Sequence, residues 1–461
     1  MVNGNAIPQT KQFSELICLG KERAPELAGD VANAKAAVEP SDLVTIIYTS
    51  GTTGFPKGVM LKHSNLVSNF IEQSFIHPLE NGSKFLSFLP LSHIYERTLT
   101  YHFQYKGVSI YYAENVGKIM DNMREIKPQV IAIVPRLLER IFDKIISKGK
   151  ELSGFKKKLF FWAVNLGLRY ELNGENGWFY ELKLAVANKL VFSKWKEALG
   201  GNLFLISSAG APLQTRLIRF FWSARINVLE GYGLTETSPV VSINNMCSKD
   251  VMFGTVGPVL KDVQVKIAED GEILTKGPNL MVGYYKEPGL TDEAIDSEGW
   301  FHTGDIGIFV NQKYLKITDR KKEIFKISSG KYIAPQVIEN KLKESMYIDQ
   351  AMVIGENQKF ASALILPDFQ FLHDWASTNH ISFSDNIDLI SNPAVFALFQ
   401  NEVSEMNLKL GDHEKIKLFR LISDEWTAQS GELSPTLKLK RRVLYERYSE
   451  IISEIFSVDR A

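Results

Sequence analysis

Short apolar runs rich in β-branched residues alternate with helical segments along the first half of the chain. This alternation limits the fold more than any other feature. Residues 43–48 (LVTIIY), 130–134 (VIAIV) and 203–206 (LFLI) are such runs, each of a length that suits a buried strand. Alternating strands and helices predict an α/β fold with a doubly wound sheet, in which ligand contacts lie beyond the carboxyl ends of the strands.

The pattern changes twice towards the C-terminus. From about Gly254, closely spaced glycines and prolines predict a small all-β section. A charge run at residues 319–323 (DRKKE) predicts a solvated connection, beyond which strands alternate with helices. The 461 residues allow two or three domains. We therefore expect a large N-terminal domain over residues 1–321 and a smaller α+β domain over residues 322–461.

Composition excludes several classes of protein. The 53 basic and 53 acidic side chains balance, which disfavours a dedicated nucleic-acid binder. Cys18 and Cys247 are the only cysteines, and with neither a secretory signal nor a long apolar stretch the sequence predicts a soluble cytoplasmic protein. Peripheral contact with the inner membrane surface and a homodimer stay open. Residues 156–162 (KKKLFFW) fit an interfacial basic-aromatic patch, but a packed helix with a solvated lysine end is favoured.

The stretch at residues 48–58 (YTSGTTGFPKG) carries the most chemical information. It follows a predicted strand, and a helix is predicted from about His63, so we expect a strand–loop–helix unit. Glycines can turn backbone N–H groups inward, while hydroxyl groups and a lysine add donors and positive charge, which together predict a phosphate cradle. The alternative is a polar surface turn. The candidate ligands are Thr49, Ser50, Gly51, Thr52, Thr53, Gly54 and Lys57.

This stretch resembles the nucleotide-binding signature of the AMP-forming, adenylating superfamily, which includes acyl-CoA synthetases, luciferases and nonribosomal-peptide adenylation domains. Residues 207–213 (SSAGAPL) resemble the family's adenine-side loop, where Gly210 and Ala211 would bind the nucleotide. Residues 230–236 (EGYGLTE) resemble its second nucleotide motif.

The second motif implies three roles. Tyr232 would stack on adenine beside Gly233, and Thr235 would contact the α-phosphate. Glu236 would hold Mg²⁺ together with Thr52, since this ion prefers oxygen ligands. The alternative for Glu236 is a carboxylate that stabilises a helix N-terminus.

Two further matches lie downstream. Asp305 in TGD and Arg320 in DR resemble the ribose-binding pair, although each motif alone also suits an exposed loop. Residues 435–442 (PTLKLKRR) resemble the segment that carries the family's catalytic lysine, which aligns with Lys438. Its neighbour Lys440 stays open, as does a basic patch that precedes an amphipathic helix.

The resemblance also implies a domain hinge and a path for the acceptor. Lys322 falls at the family's hinge, and Gly330 falls where the pantetheine of coenzyme A passes; the alternatives are a solvated lysine and a simple turn. Residues 89–97 (LPLSHIYER) resemble the lining of the acyl channel, with His93 near its mouth or, alternatively, in the core. Residues 327–335 (ISSGKYIAP) look most like the long-chain branch.

The implied reaction activates a fatty acid with ATP and Mg²⁺ to an acyl adenylate and then forms a thioester with coenzyme A. Two alternatives stay open: an acyl-AMP ligase that serves a carrier protein, and a non-catalytic nucleotide- or acyl-binding remnant. Family members carry an extra stretch before the phosphate loop, whereas here the loop begins at Tyr48. The resemblance therefore implies a chain that lacks the N-terminal part of the large domain, and it leaves the activity of the short chain open.

Overall fold

The computed structural model describes residues 11–50, 56–427, 429–434 and 439–457. The strands are β1 (Leu43–Ser50), β2 (Pro56–Lys62), β3 (Lys84–Ser87), β4 (Ser109–Tyr112), β5 (Val130–Ile133), β6 (Leu205–Ser208), β7 (Asn227–Gly233), β8 (Val240–Ile243), β9 (Gln264–Ile267), β10 (Glu272–Lys276), β11 (Gly283–Tyr284), β12 (Phe301–Val310), β13 (Tyr314–Arg320), β14 (Phe325–Lys326), β15 (Tyr332–Ile333), β16 (Ile348–Ile354), β17 (Ala361–Pro367) and β18 (Ile416–Leu421). The helices are α1 (Phe13–Ala36), α2 (His63–Gln73), α3 (Ile94–Tyr105), α4 (Ile119–Ile126), α5 (Pro135–Lys150), α6 (Gly154–Gly167), α7 (Trp178–Ala187), α8 (Ser193–Ala198), α9 (Thr215–Ser223), α10 (Pro288–Ala294), α11 (Pro335–Leu342), α12 (Phe369–Thr378), α13 (Asn386–Ser391), α14 (Pro393–Asn407), α15 (Arg441–Arg447) and α16 (Ser449–Ser457).

A six-stranded sheet with the order β4-β3-β5-β6-β7-β8 is the centre of the N-terminal part. Its first five strands are parallel, and β8 adds in the antiparallel sense. Side chains alternate across the sheet, so Ile131 and Ile206 join one apolar cluster while Val130 and Leu205 join another. The first cluster includes residues of α4, α5, α6 and α9, and the second includes residues of α3. Helices thus cover both faces, and the predicted doubly wound fold is confirmed.

The expected strand–loop–helix unit at the phosphate loop is wrong. A second strand, β2, precedes α2 and pairs antiparallel with β1, with Ser50 opposite Pro56. This hairpin belongs to a separate sheet with the order β1-β2-β11. The prediction failed because residues 56–62 contain a proline, a glycine and two lysines, so no uninterrupted apolar run marks them as a strand. The helix that begins at His63 is as predicted.

The predicted all-β section and C-terminal α+β part are both present. β13, β12, β10 and β9 form a four-stranded sheet in that order. Further along the chain, β16, β17 and β18 form a three-stranded sheet whose two faces carry separate apolar clusters. Residues from α11 to α14 fill one cluster, and residues from α15 and α16 fill the other.

The charge run at residues 319–323, called the junction below, is not a solvated connection. Asp319 and Arg320 end β13, and Asp319 is only 1% exposed. Burial raises the pKa of the Asp319 carboxyl to about 7. Only Lys321 and Lys322 of the run are exposed. The prediction missed that β12 and β13 pair across the run, with Asp305 opposite Arg320.

The two parts of the chain also touch away from the junction. Arg136 on α5 forms an ion pair with Asp349 on β16 and a second one, 3.1 Å long, with Glu139. Nearby, the Gln214 side-chain amide donates to the Lys343 carbonyl at 3.2 Å. These contacts define one placement of the C-terminal α+β part against the N-terminal part.

The segment at residues 156–162 forms the packed helix with a solvated lysine end that the sequence favours. It lies in α6, where Phe160 is buried and the three lysines are exposed. The ring of Phe160 lies 5.5 Å from that of Trp195. None of the helices in the described ranges combines the length and apolarity that a membrane span requires.

Candidate active site

The phosphate-loop hairpin meets the second nucleotide motif through Tyr284 on β11. The Nζ atom of Lys57 lies 4.8 Å from the centre of the Tyr284 ring. The hydroxyl of the same ring donates to Glu236 Oε1 at 2.9 Å. Burial and the Glu236 carboxylate both raise the pKa of Tyr284, so this phenol stays a hydrogen-bond donor. A positive charge from the loop and a carboxylate from the second motif therefore lie on the same tyrosine.

A second group joins the second motif to the β12–β13 hairpin. The Tyr232 hydroxyl donates to Asp305 Oδ2 at 2.8 Å, and Arg320 Nε lies 3.1 Å from Asp305 Oδ1. Burial of the phenol and the neighbouring Asp305 carboxylate hold the pKa of Tyr232 well above its ordinary value. A carboxylate offers about four acceptor positions, so Asp305 retains capacity for ribose hydroxyls after it binds both partners.

The predicted adenine-side loop follows β6 and is fixed to β7 by a buried acid. The Leu213 backbone N–H donates to Glu230 Oε1 at 3.3 Å. The Glu230 Oε2 atom and the Ser208 hydroxyl are both buried without a partner. Burial raises the pKa of Glu230 to about 8 and so favours the neutral carboxyl. Orphaned polar atoms beside a loop of small residues suit a ligand rich in hydrogen-bonding groups.

Both glycines of the second motif lie in a strand. β7 continues to Gly233 because β8 pairs with it, Gly231 opposite Ile243. A Cβ atom at Gly233 would lie 1.7 Å from the Pro239 carbonyl oxygen, so only glycine fits this close approach. Thr235 and Glu236 follow in a short 3₁₀ turn, where Thr235 is buried.

The segment that is predicted to line the acyl channel packs against the carboxyl ends of β3 and β6. Ser87 Oγ donates to Glu96 Oε1 at 2.5 Å, and the Tyr95 hydroxyl donates to Ser207 Oγ at 2.9 Å. Burial raises the pKa of Glu96 to about 7, and its Oε2 atom has no partner. His93 is exposed immediately before α3, so the core alternative for this histidine is wrong.

Ion pairs hold the two sides of the junction to different parts of the chain. Lys321 Nζ pairs with Asp270 at 2.6 Å and with Glu272 at 2.8 Å, both in the all-β section. Glu323 pairs instead with Arg441 at 3.1 Å, at the start of α15. Lys322 lies between these two anchors.

The Arg441 guanidinium group is the centre of a buried network. It donates to both oxygens of Glu339 at 2.7 Å and to the Val353 carbonyl at 3.3 Å. Glu339 also accepts from the Val353 N–H at 2.7 Å. The network fixes the C-terminal end of the predicted catalytic segment onto α11 and β16.

Several predicted site residues cannot be placed. Lys438 and four residues of the phosphate loop (Gly51, Thr52, Thr53 and Gly54) lie outside the described residues, as does the side chain of Ser50. Thr49 lies on β1 opposite Lys57. Gly210 and Ala211 lie in the loop after β6, and Gly330 lies in the exposed turn between β14 and β15 with φ of +81°.

Sequence reasoning missed Tyr284, Glu96, Glu230 and Arg441 as members of the site or its support. Tyr284 acts through contacts with segments 48 and more than 200 residues away, which no local pattern marks. Glu96, Glu230 and Arg441 stood within the quoted motifs, but their burial was not visible from spacing. A charged residue inside an apolar motif is the one signal that could have singled out Glu96.

The residues fit Mg²⁺ only as part of a nucleotide complex. Within the described ranges, no group of three or more histidine, cysteine or acidic side chains is arranged so that it could hold a metal ion. Glu236 supplies one carboxylate, and Mg²⁺ commonly takes one or two carboxylates with phosphates and water for the rest. Glu236 and the phosphates of ATP would together hold the ion.

Comparison with known proteins agrees with this geometry. A family model described as "AMP-binding enzyme" matches residues 5–285, and one described as "AMP-binding enzyme C-terminal domain" matches residues 322–460. The chain belongs to the AMP-binding enzyme family.

Its relatives lie in the predicted branch. The chain is 35% identical over 428 residues to the long-chain-fatty-acid–CoA ligase FadD15 of Mycobacterium bovis, covering 92% of this chain and 70% of the relative. It is 36% identical over 439 residues to the peroxisomal long chain acyl-CoA synthetase 6 of Arabidopsis thaliana, covering 91% and 61%. The chain thus spans about two thirds of the length of these relatives.

A solved structure supports the fold. The adenylation domain of the carboxylate reductase from Mycobacterium chelonae matches with a TM-score of 0.71 at 24% identity, covering 91% of this chain and 61% of that one. The family matches and the relatives together confirm the predicted resemblance to the adenylating superfamily and its long-chain branch. The roles of individual residues stay predictions.

Proposed function

We propose that this chain is an AMP-forming long-chain fatty acid–CoA ligase. The observation that carries the proposal is the meeting of three distant motifs: Lys57 and Glu236 lie on Tyr284, and Tyr232 and Asp305 are hydrogen-bonded. These are the motifs that the resemblance assigns to one nucleotide. The names of the relatives support the fatty acid and coenzyme A as the other substrates.

In the first half-reaction, a carboxylate oxygen of the fatty acid bonds to the α-phosphorus of ATP, and the bond to the β-phosphate breaks to release pyrophosphate. Two anions must approach each other, so the site has to neutralise charge. An ion pair at about 4 Å contributes about 1 kcal/mol in water and about 4 kcal/mol in a partly buried site. Lys57 and Lys438 would supply fixed positive charge, and bound Mg²⁺ would neutralise the triphosphate.

In the second half-reaction, the thiol sulfur of coenzyme A bonds to the acyl carbon, the bond to AMP breaks, and the thiol proton leaves. Lys438 lies in the proposed C-terminal domain, residues 322–461, so rotation at Lys322 would withdraw it and open the thiol path past Gly330. The C-terminal family match from residue 322 supports this boundary. We also propose a cytoplasmic location with peripheral membrane contact.

The test separates the two products. The chain is incubated with ATP, Mg²⁺, palmitate and coenzyme A, and pyrophosphate and acyl-CoA are measured independently. Both products support the ligase. Pyrophosphate without thioester would indicate an acyl-AMP ligase, and nucleotide binding without either product would indicate a binding remnant.

Lysine variants test the catalytic assignment. We expect Lys438→Ala to abolish ATP–pyrophosphate exchange, whereas transfer from supplied acyl adenylate to coenzyme A largely survives. Lys440→Ala is the matched control and should retain exchange. An unchanged exchange rate in Lys438→Ala, or its loss only in Lys440→Ala, would refute the assignment.

A further inference from the structure

An exposed apolar stripe runs along α7 and the helical turn over residues 188–192 that joins α7 to α8. Its members are large side chains that face away from the core: Trp178, Phe179, Leu182, Val186 and Leu190. Trp178 is 79% exposed and Leu182 57%. The spacing of these residues keeps them on one side of the segment, while Leu184, Val191 and Trp195 on the opposite side are buried. The stripe is therefore an unpartnered face and not a poorly packed core.

The surroundings of the stripe are strongly basic. Residues 154–196 carry eight lysine and arginine side chains against three glutamates, in a chain whose formal net charge is zero. Lys189 is exposed beside Leu190, and Lys183 Nζ lies 4.2 Å from the centre of the Phe179 ring. The methylene groups of lysine can lie along an apolar surface while the ammonium group stays in water.

We propose that this stripe docks on the surface of an anionic lipid bilayer. An apolar helix face flanked by lysines, with a tryptophan at one end, has the chemistry of an interfacial helix that lies in the membrane plane. Anionic headgroups complement the local positive charge. A neutral bilayer or a charge-balanced protein surface does not complement this charge. The inference gives the proposed membrane contact a surface, and it rests on the geometry of α7 rather than on the ligase reaction.

The test measures binding of the whole chain to vesicles without ATP or fatty acid, so its outcome is independent of the catalytic assay. We expect flotation with phosphatidylcholine vesicles that contain phosphatidylglycerol and not with pure phosphatidylcholine. The double variant Trp178→Ser with Leu182→Ser should weaken binding by about tenfold or more. These side chains are exposed, so the variant should keep the thermal melting curve of the parent chain.

Helix α1 offers a matched control, because it also exposes large apolar side chains but carries three basic side chains against four acidic ones. The double variant Phe13→Ser with Leu16→Ser should bind as the parent does. Brominated lipids should quench tryptophan fluorescence in the parent and much less in Trp178→Phe. Equal binding by the α7 and α1 variants, binding without anionic lipid, or a dimer that only the α7 variant dissociates would each overturn the proposal.

Discussion

Replacing Arg441 by alanine tests the buried network that supports the C-terminal part. The substitution removes both hydrogen bonds to Glu339 and the pair to Glu323, and it leaves Glu339 only 5% exposed without its counter-charge. Breaking one side of a buried ion pair costs about 3–5 kcal/mol, because the remaining charge is buried and uncompensated. For a unit of the size of the C-terminal part, residues 322–461, we expect this loss of free energy of unfolding to lower the melting temperature by roughly 10 °C or more.

The neighbouring residue provides the control. Arg442 forms a pair with Glu446 at 2.9 Å, but both side chains are largely exposed, so Arg442→Ala should cost no more than about 1 kcal/mol. Thermal unfolding by differential scanning calorimetry compares the two variants. Adding Glu339→Gln to Arg441→Ala should recover part of the loss, since a neutral amide is cheaper to bury. Equal melting shifts for Arg441→Ala and Arg442→Ala would refute the reasoning.

Three further substitutions probe other features. Because the pKa of Glu96 is raised, this carboxyl contributes its full stabilisation below pH 4.5 and loses it as the pH rises through about 7. Glu96→Gln should therefore raise the melting temperature at pH 8 and flatten the fall of the melting temperature between pH 5 and 8. Parallel profiles of melting temperature against pH for the variant and the parent would contradict this. Gly233→Ala should prevent correct folding around β7, measured by circular dichroism and nucleotide binding, whereas Gly20→Ala, whose new Cβ atom meets nothing within 4 Å, should be neutral or slightly stabilising. Arg136→Ala should speed tryptic cleavage at the junction by loosening the contact with Asp349, and an unchanged cleavage rate would show that this ion pair does not hold the two parts together.

The sequence predicted the main sheet because its strands are short apolar runs with buried faces. Residues 130–134 are predicted as a strand, and β5 covers Val130–Ile133. Strands that pair through mixed sequence were missed. β2 contains two lysines and is stabilised by pairing with β1 and with the distant β11. β7 continues through two glycines because β8, the next strand, pairs with its end.

The candidate site was predictable as a set of motifs and not as a set of contacts. The resemblance predicts that Asp305 and Arg320 bind ribose together, and the two residues lie opposite each other on β12 and β13. The tyrosine that joins Lys57 to Glu236 escaped notice, because one aromatic residue after a glycine has no local signature. The junction was expected to be solvated, but Asp319 is buried and the run forms an ordered turn. Burial depends on contacts with distant residues, so it cannot be predicted from a short stretch of sequence.

The opposed anchors on either side of the junction restrict how the chain can swivel. Lys321 is held to the all-β section, and Glu323 is held to Arg441, so a rotation that preserves both pairs must be absorbed by the backbone torsions around Lys322. The Glu323 and Ile324 N–H groups both donate to the Arg320 carbonyl, at 2.9 and 3.1 Å. Such a rotation would break these two hydrogen bonds and leave the ion pairs on either side of Lys322 intact. Movement between the two parts would then be confined to a single residue of backbone.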